Sequence, residues 1–303
     1  MRPSEEGTGH TRYSTLMMIK LIILTLLLVA SVFGGADVSG SAPINVTYVG
    51  NTGYLVECAG RKVAIDALLG GEQSEWYDIP SDSLVALMRE AQQPFDDIDV
   101  IAVTHWHHDH FTAPIVAAYL KRNSQCILLC PQQVADRLSE LPDNAAIEKQ
   151  IHVIDAPVDS VTSLDLNGIG TRILTSKHGA YYETDSTGQK VDRHANVQHL
   201  EFLFNIGGRV FLHVGDVGLQ DMERYRLLGL GTDSIDAALV QRWGCYEKMT
   251  FGEKLVRERI RPKRIFFTHI APKERESLQR KADCTCYRGV TIPLRGLEHW
   301  VLP

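Results

Sequence analysis

The chain has 303 residues, a length that fits one large domain or two small ones. Apolar residues make up 44% and charged residues 22% of the sequence, which are ordinary values for a globular protein. The formal net charge of -6 at pH 7 provides no basic surface for nucleic acid, so we expect no nucleic-acid partner, although a local patch is not excluded.

An apolar segment near the N-terminus, residues 21–33, differs in character from the rest of the chain. Lys20 precedes it and the small residues 34–36 follow it, which is the pattern of a signal peptide, with Met17 or Met18 as an alternative start. The segment is shorter than the roughly 20 residues that a membrane-spanning helix needs. We therefore expect residues 1–42 to be a leader that exports the protein to the periplasm or the medium. An uncleaved leader that anchors the chain in a membrane is the alternative.

The sequence becomes rich in predicted strands from about residue 43. Strands are predicted over residues 44–49, 54–58 and 62–66, joined by turns at 50–53 and 59–61. A helix over 81–92 follows, because its apolar residues fall on one helical face. The apolar run 98–103 predicts a buried strand, and Thr112 with Pro114 marks the start of the next helix.

Strands and helices alternate in the rest of the chain. We predict strands over 126–130, 151–155, 161–166, 172–175, 235–240 and 264–268, a hairpin over 200–205 and 209–214, helices near 132–139, 220–228 and 252–260, and a polar loop over 179–196. Since no repeat or linker interrupts this pattern, we expect one domain over residues 43–303.

The cysteines do not have the spacing of a structural zinc site. An exported protein could pair some of them, and the sequence leaves the pairing open. Cys126 and Cys130 flank an apolar strand, so we expect them to be buried thiols. The full set is Cys58, Cys126, Cys130, Cys245, Cys284 and Cys286.

The most specific feature is a cluster of histidine and aspartate that directly follows the buried strand 98–103 and precedes a helix. Its sequence is His105-Trp106-His107-His108-Asp109-His110. A loop in this position can aim several side chains at one point, and imidazole and carboxylate groups are ligands that zinc accepts. Four potential ligands exceed what one ion usually takes from a single loop, so the cluster favours two neighbouring ions. We expect His108 to point away from them.

Three further candidate ligands follow in later segments, each just after a predicted strand: His178, Asp216 after Gly215, and His269. Their order after the His105-x-His107-x-Asp109-His110 motif resembles that of the metallo-β-lactamase superfamily. The resemblance covers nearly all of the chain after the leader. It implies an α/β (α+β) fold, a four-layer αββα sandwich with the metals at one edge of the two sheets.

The resemblance also implies roles for these residues. The first metal would be held by His105, His107 and His178, the second by Asp109, His110 and His269, and Asp216 would bridge both. Asp66 resembles the early aspartate of the superfamily, which orients the metal loop from behind, with a surface turn as the alternative. His194 and His199 lie near His178 in the sequence and are the alternatives to it as a ligand. We expect His199 and His213 to be structural or to support the ligands.

Two zinc ions would lower the pKa of a shared water, so that a bridging hydroxide attacks an ester, lactone, amide or phosphodiester bond, and Asp109 would orient that water. Residues 207–216 and 263–269 look most like the broad group of L-ascorbate phosphate lactonases and N-acyl-phosphatidylethanolamine phospholipase D. We therefore expect a zinc-dependent hydrolase with a small-molecule substrate. Candidate pocket residues are the aromatic Trp106, Phe111, Tyr181, Tyr182 and Trp243.

Three alternatives stay open. One is an exported enzyme that hydrolyses β-lactams, since one subclass of those enzymes has the full motif. Another is a non-catalytic metal-binding protein on the same scaffold. The third is an iron-dependent redox protein, against which His107 argues, because the di-iron members of the superfamily usually have glutamate at that position.

Overall fold

The computed structural model describes residues 42–218, 222–230, 234–242, 255–281 and 289–303. The predicted leader, Trp243, Cys245, Cys284 and Cys286 lie outside the described residues. None of the helices within these ranges has the length and apolarity that crossing a bilayer requires.

The first of two seven-stranded sheets has the strand order β16-β1-β2-β3-β4-β5-β6. Its strands are β1 (Ile44–Gly50), β2 (Gly53–Cys58), β3 (Arg61–Ile65), β4 (Val100–Ala102), β5 (Ile127–Cys130), β6 (Ile151–Val153) and β16 (His299–Leu302). Strands β1 to β3 form an antiparallel meander, and β3 to β6 are parallel to one another.

The second sheet has the order β15-β14-β13-β12-β11-β8-β7. Its strands are β7 (Val161–Leu166), β8 (Ile169–Lys177), β11 (Gln198–Ile206), β12 (Arg209–His213), β13 (Ala237–Gln241), β14 (Arg264–Thr268) and β15 (Val290–Thr291). Strands β8, β11 and β12 are antiparallel neighbours, whereas β12 to β15 are parallel. Strands β8, β12 and β14 therefore run in one direction and end at the same edge of the sheet.

Helices cover the outer face of each sheet, which completes a four-layer αββα sandwich. The helices are α1 (Asp82–Arg89), α2 (Ala113–Arg122), α3 (Gln132–Ser139), α4 (Met222–Leu227) and α5 (Arg275–Lys281), with a π-helical segment at Leu255–Ile260 and 3-10 turns at Asn144–Ala146, Glu148–Gln150 and Pro272–Glu274. Apolar side chains of α1, α2 and α3 pack on the first sheet, and those of α4, α5 and the π-helical segment pack on the second.

The alternation of residues along β11 shows why the sheets pack as they do. Leu200, Phe202 and Phe204 belong to the core between the two sheets, whereas Leu203 packs in the outer cluster beneath the helices. Successive side chains of a strand point to opposite faces, so residues 199, 201 and 203 share the outer face. This face carries two buried polar residues, His199 and Glu201.

The sequence-based prediction of a loop over 179–196 was wrong in part. The segment contains a two-stranded hairpin of β9 (Tyr182–Thr184) and β10 (Lys190–Asp192). Its turn is closed by Asp185, whose side chain accepts hydrogen bonds from the backbone of Thr187 and Gln189. Polar exposed strands of three residues lack the apolar alternation on which strand prediction depends. Strands β15 and β16 were not predicted either, because runs of two and four residues are too short to show a pattern.

The buried-thiol prediction is confirmed. Cys126 and Cys130 are both buried and unpaired, as is Cys58. Burial raises the pKa of the Cys130 thiol to about 12, so this group stays protonated and unreactive at neutral pH.

Candidate metal centre

The motif loop, residues 104–110, connects the end of β4 to the segment before α2. Its tight turn forms because the backbone N–H groups of His110 and Phe111 both donate to the carbonyl of His107, at 3.0 Å. This turn directs His105, His107, Asp109 and His110 to one side, whereas His108 is exposed. His108 belongs to no candidate ligand group among the described residues, but it lines the cavity that opens onto the cluster and so does not point away from the site.

The first group of candidate ligands consists of His105, His107 and His178. Nε2 of His105 and Nδ1 of His107 lie 2.9 Å apart, and the rings of His105 and His178 are 4.6 Å apart between centroids. One nitrogen from each of the three residues lies within 4.8 Å of the others. His178 reaches this position because it follows the end of β8 and its backbone bridges to Val217.

The second group consists of Asp109, His110 and His269. Oδ2 of Asp109 lies 3.6 Å from Nε2 of His110 and 3.3 Å from Nε2 of His269. His269 follows the end of β14, at the same edge of the second sheet as His178. Its backbone N–H donates to the carbonyl of Asn51, which ties the end of β14 to the first sheet.

Asp216 lies between the two groups. Its Oδ2 atom is 3.5 Å from Nε2 of His110, 3.3 Å from Nε2 of His269 and 3.7 Å from Nε2 of His178. One carboxylate therefore contacts members of both ligand groups, which is the position that a bridging ligand would occupy. The structure brings all seven predicted ligands together, within one cluster at one edge of the sandwich.

The donor set fits divalent cations. His110 Nε2, His178 Nε2 and Asp216 Oδ1 are buried and have no hydrogen-bond partner among the described residues. In both histidines the other nitrogen is occupied: Nδ1 of His110 lies 2.8 Å from Asp66, and Nδ1 of His178 lies 2.8 Å from the carbonyl of Gly179. Buried polar atoms without partners are rare in proteins, and here they converge with lone pairs directed inward. Imidazole nitrogens and carboxylate oxygens suit zinc.

A family model described as a beta-lactamase superfamily domain matches residues 61–270, which include every one of these ligands. The chain belongs to the metallo-β-lactamase superfamily. The two-sheet architecture and the clustered ligands are those that the resemblance implied.

Solved structures share the fold at low identity. A metallo hydrolase from the archaeon Ignicoccus hospitalis is 16% identical, with a TM-score of 0.52 over 86% of this chain and 99% of that chain. A possible metal-dependent hydrolase from Veillonella parvula is 15% identical, with a TM-score of 0.57 over 87% of this chain and 100% of that chain. A variant of the β-hydroxylase CmlA from Streptomyces venezuelae is 12% identical, with a TM-score of 0.51 over 86% of this chain and 54% of that chain. None of the curated proteins with which the chain was compared matches it.

Asp66 holds the motif loop of this superfamily member by hydrogen bonds. It is buried and follows the end of β3. Its carboxylate accepts hydrogen bonds from the backbone N–H of Thr104 at 2.8 Å, from the Thr104 hydroxyl at 2.7 Å and from Nδ1 of His110 at 2.8 Å. The contact fixes the ring of His110 and leaves Nε2 facing the other ligands. The alternative of a surface aspartate is excluded by its burial.

The turn between β1 and β2 is a supporting element that sequence reasoning missed. Nδ2 of Asn51 donates to the carbonyl and to Oδ2 of Asp109, both at 3.0 Å, and the Thr52 hydroxyl lies 3.1 Å from Nδ1 of His110. Asn51 is buried with a positive φ of 43°. The sequence shows only a turn at this point, because nothing in the pattern Gly50-Asn51-Thr52-Gly53 indicates which residues it faces.

The loop that presents Asp216 is held by two histidines of the second sheet. The backbone N–H of Gly215 donates to Nδ1 of His213 at 2.9 Å, and that of Asp216 donates to Nε2 of His199 at 2.9 Å. Nε2 of His213 in turn lies 3.0 Å from the carbonyl of Thr52, so it donates there. Neither histidine joins a candidate ligand group among the described residues. This placement agrees with the expectation that both support the ligands.

Charges inside the cluster shift several pKa values. Burial lowers the pKa of His107 to about 4, which keeps its ring neutral and able to ligate at neutral pH. Burial disfavours the charged form of His269 too, but the carboxylates of Asp216 and Asp109 outweigh it and raise the pKa of His269 to about 9. Although burial opposes ionisation of Asp216, His269 and His110 hold the pKa of this carboxyl well below its usual range. Burial also opposes ionisation of Asp109, but His110 and His269 hold the pKa of this carboxyl well below its usual range. Both carboxylates are therefore ionised, as ligation requires.

A cavity of about 400 Å³ opens onto the cluster and is lined by five of the seven candidate ligands, together with Tyr77, His108, Gly179, Ala180, Tyr181 and His194. Of the predicted pocket aromatics that the structure describes, Tyr181 alone lines this cavity. Phe111 is buried in the core beneath the helices and Trp106 packs against the same core, with the guanidinium of Arg137 3.9 Å from its ring centroid. Their positions beside the motif predicted proximity to the site, but both side chains pack beneath the helices of the first sheet. Tyr182 is exposed on β9, and Trp243 lies outside the described residues.

Proposed function

We propose that this protein is a hydrolase that uses two divalent cations, most simply zinc, to cleave an ester, lactone, amide or phosphodiester bond of a small molecule. The observation that carries the proposal is the convergence of seven imidazole and carboxylate groups, five of which line one open cavity. The N-terminal pattern supports an exported protein, and we propose that location as well.

We propose that separate sets of residues would hold the two ions. One ion would be held by His105, His107 and His178, the other by Asp109, His110 and His269, with Asp216 between them. When bound, such ions lower the pKa of a water molecule toward neutrality and polarise an oxygen of the substrate. The protein must therefore supply orientation and a proton acceptor rather than a nucleophilic side chain.

Asp109 has the position to orient a water molecule and to accept its proton. Its carboxylate is buried and ionised, and Asn51 fixes one of its oxygens and its backbone carbonyl together. Because Asn51 prevents the side chain from rotating, Asp109 can orient a water and accept its proton without losing its place.

Tyr77 is the chain's own candidate for holding the substrate. Its ring meets those of His108 and His269 edge-on, with centroids 5.5 Å and 5.6 Å away. Burial, reinforced by the charges of Asp109 and Asp216, raises the pKa of Tyr77, so its hydroxyl remains a hydrogen-bond donor at neutral pH.

The loop that carries Tyr77 is held in place by the contacts of the next residue, Asp78. The carboxylate of Asp78 accepts a hydrogen bond from the hydroxyl of Tyr48 at 2.9 Å and pairs with the guanidinium of Arg275. Nη1 of Arg275 also donates to the carbonyl of Leu294 at 2.8 Å. A donor on such an anchored loop can stabilise charge that develops on the substrate without first having to be ordered.

The competing functions are separated by different observations. The fold alone does not decide between hydrolysis and oxidation, since a β-hydroxylase shares it. His107 favours hydrolysis, because the resemblance places glutamate there in di-iron members. A β-lactam substrate stays a second candidate on the strength of the complete motif. A purely binding protein is disfavoured, because it has no need for ligands at the floor of an open cavity.

The test begins with the metal content of the purified protein, measured by mass spectrometry. A panel of phosphodiesters, lactones, esters and β-lactams is then assayed on zinc-loaded protein, with and without chelator. We expect hydrolysis that chelator removes and zinc restores, and a loss of roughly 10²- to 10⁴-fold in kcat for Asp109→Ala. Asp82→Ala, the same change on the exposed first turn of α1, serves as the control and should behave as wild type. Full activity in protein without metal would refute the proposal.

A further inference from the structure

Glu201 is a buried carboxylate that the proposed reaction does not use. It lies on β11 on the outer face of the second sheet and is fully inaccessible to solvent. Neither of its oxygens makes a hydrogen bond of normal geometry within the part of the chain that the structure describes. Burial raises the pKa of Glu201 to about 7, although Arg224 and the hydroxyls of Ser176 and Tyr225 act to lower it. An acid in such a place needs an explanation.

A chain of hydrogen bonds leads from this region to the metal centre. The backbone N–H of Asp216 donates to Nε2 of His199 at 2.9 Å, so that nitrogen carries no proton. The proton of the neutral ring is therefore on Nδ1, which donates to the Ser176 hydroxyl oxygen at 2.8 Å. Because Ser176 already accepts this bond, its own O–H must be directed toward another acceptor.

The register of the strands identifies that acceptor. His199 pairs with Ser176 and Glu201 pairs with Leu174 across β11 and β8, so Ser176 and Glu201 are diagonal neighbours on one face. The hydroxyls of Ser176 and Tyr225 both act to lower the pKa of Glu201, which agrees with this diagonal placement. One face of the sheet thus carries a hydroxyl whose proton needs an acceptor and, diagonal to it, a carboxylate without a hydrogen-bond donor among the described residues.

We propose that His199, Ser176 and Glu201 form a relay that positions Asp216, with the Glu201 carboxylate as its final acceptor. The inference rests on the proposed function, in that Asp216 is taken as a ligand. Glu201 and Ser176 are positioning residues and touch neither substrate nor metal.

The relay acts through the tautomer of His199. With Glu201 as acceptor, the Ser176 oxygen faces Nδ1–H and Nε2 stays free for the backbone of Asp216. Without that acceptor the hydroxyl can turn and donate to Nδ1, which places the ring proton on Nε2, opposite another N–H. The ring has no room to tilt away, because it packs so closely on Gly215 that a Cβ there would lie 2.5 Å from Nε2. The loop that carries Asp216 would have to move instead.

The experiment compares four forms of the full chain: Ser176→Ala, Glu201→Leu, their combination, and Glu201→Gln. Zinc affinity is measured by competition with a chelating dye. We expect Ser176→Ala and Glu201→Leu each to weaken zinc binding roughly 10-fold. Members of one relay should not be additive, so the double variant should lose no more than the larger single loss. Glu201→Gln keeps an acceptor oxygen and should lie between Glu201→Leu and wild type.

A matched control removes a buried hydroxyl one residue away. Thr175→Val changes the neighbour of Ser176, on the opposite face of β8, and should leave zinc affinity unchanged. Additive losses in the double variant, or a wild-type affinity in both single variants, would overturn the relay.

Nitrogen NMR of the His199 ring separates this inference from the proposed function, because it needs no metal. We expect a proton on Nδ1 in the wild type and a shift toward Nε2 in Glu201→Leu, in which the Ser176 hydroxyl can turn and donate to Nδ1. A wild-type protein that does not bind zinc would contradict the proposed function while leaving this measurement decisive for the relay. An unchanged tautomer in Glu201→Leu would overturn the relay alone.

Discussion

The two sheets hold their candidate metal ligands by different means. On the side of the first sheet, the carboxylate of Asp66 holds a ligand side chain directly, at 2.8 Å from Nδ1 of His110. On the side of the second sheet, the neutral ring of His199 holds the backbone N–H of Asp216, and His213 does the same for Gly215. On the first side, a carboxylate accepts a hydrogen bond from the ring of a candidate ligand. On the second side, neutral imidazole rings accept hydrogen bonds from the backbone of the loop that carries a candidate ligand.

The charge of the ligand explains the difference. A carboxylate behind an imidazole increases its basicity and fixes its orientation, so Asp66 strengthens His110 as a ligand. A carboxylate directly behind Asp216 would instead repel it in a site that already contains Asp109. A neutral acceptor for the backbone fixes Asp216 without adding negative charge, and Glu201 is kept two groups away from it.

Gly215→Ala should have the largest effect, because it breaks the second-sheet arrangement sterically. Gly215 has a φ of +54°, and an added Cβ would lie 2.5 Å from Nε2 of His199 and 2.9 Å from Cγ2 of Thr104. Backbone strain and overpacking together should lower the free energy of unfolding by about 4 kcal/mol. Chemical denaturation of the metal-free protein measures it.

The control for this change is Gly208→Ala. Gly208 also has a positive φ, of +82°, but an added Cβ would meet nothing within 4 Å. We expect a loss of only about 1 kcal/mol there. Equal losses at the two positions would mean that the close packing of the His199 ring on the Gly215 turn has no consequence for stability.

The sequence was sufficient to predict which side chains converge in the candidate metal centre. Each candidate ligand follows a strand, and strands that run in one direction end at one edge. The order of the strands therefore predicts that the His105 loop, His178 and His269 lie close together. Their chemical type then indicates a metal site, since imidazole and carboxylate groups in this order have few other uses.

The supporting elements could not be predicted, because they act through contacts that leave no pattern in the chain. Asn51 in its turn, and the serine and glutamate on β8 and β11, are ordinary residues for a turn and for strands. Their partners are set by strand register and sheet packing, which a single sequence does not encode locally. Even His199 could only be assigned a general supporting role, without its partner.

Asp66→Asn should have the second largest effect, on metal binding. Asparagine preserves the volume and one acceptor oxygen for Thr104 but removes the charge behind His110. We expect zinc affinity to fall roughly 100-fold, at the upper end of what supporting residues contribute. His199→Gln, which also keeps a neutral acceptor for the backbone of Asp216, should lose only roughly 10-fold. Competition with a chelating dye ranks the two variants. A larger loss for His199→Gln would reverse the comparison between the sheets.

Glu201→Gln should have the smallest effect of these changes. Unlike Gly215→Ala, it should raise the free energy of unfolding at alkaline pH. The pKa of Glu201 in the folded protein is about 7, above its ordinary value of 4.5, so the folded state binds its proton more tightly than the unfolded state. Stability from this group is therefore present below pH 4.5 and is lost as the pH rises through 7, by about 3 kcal/mol in total. Glutamine does not titrate, but its buried amide costs about 1 kcal/mol.

The variant should accordingly match the wild type near pH 5 and be more stable by about 2 kcal/mol near pH 8. Denaturation of both proteins across this pH range gives the difference in their free energies of unfolding. The titration of the candidate metal ligands is common to both proteins and cancels in this difference. A constant difference at all pH values would show that Glu201 is ionised throughout, held by Arg224 rather than buried as an acid. Both sheets would then support a candidate ligand with a charged carboxylate. They would differ only in distance, since Asp66 contacts His110 directly, whereas Glu201 is separated from Asp216 by Ser176 and His199.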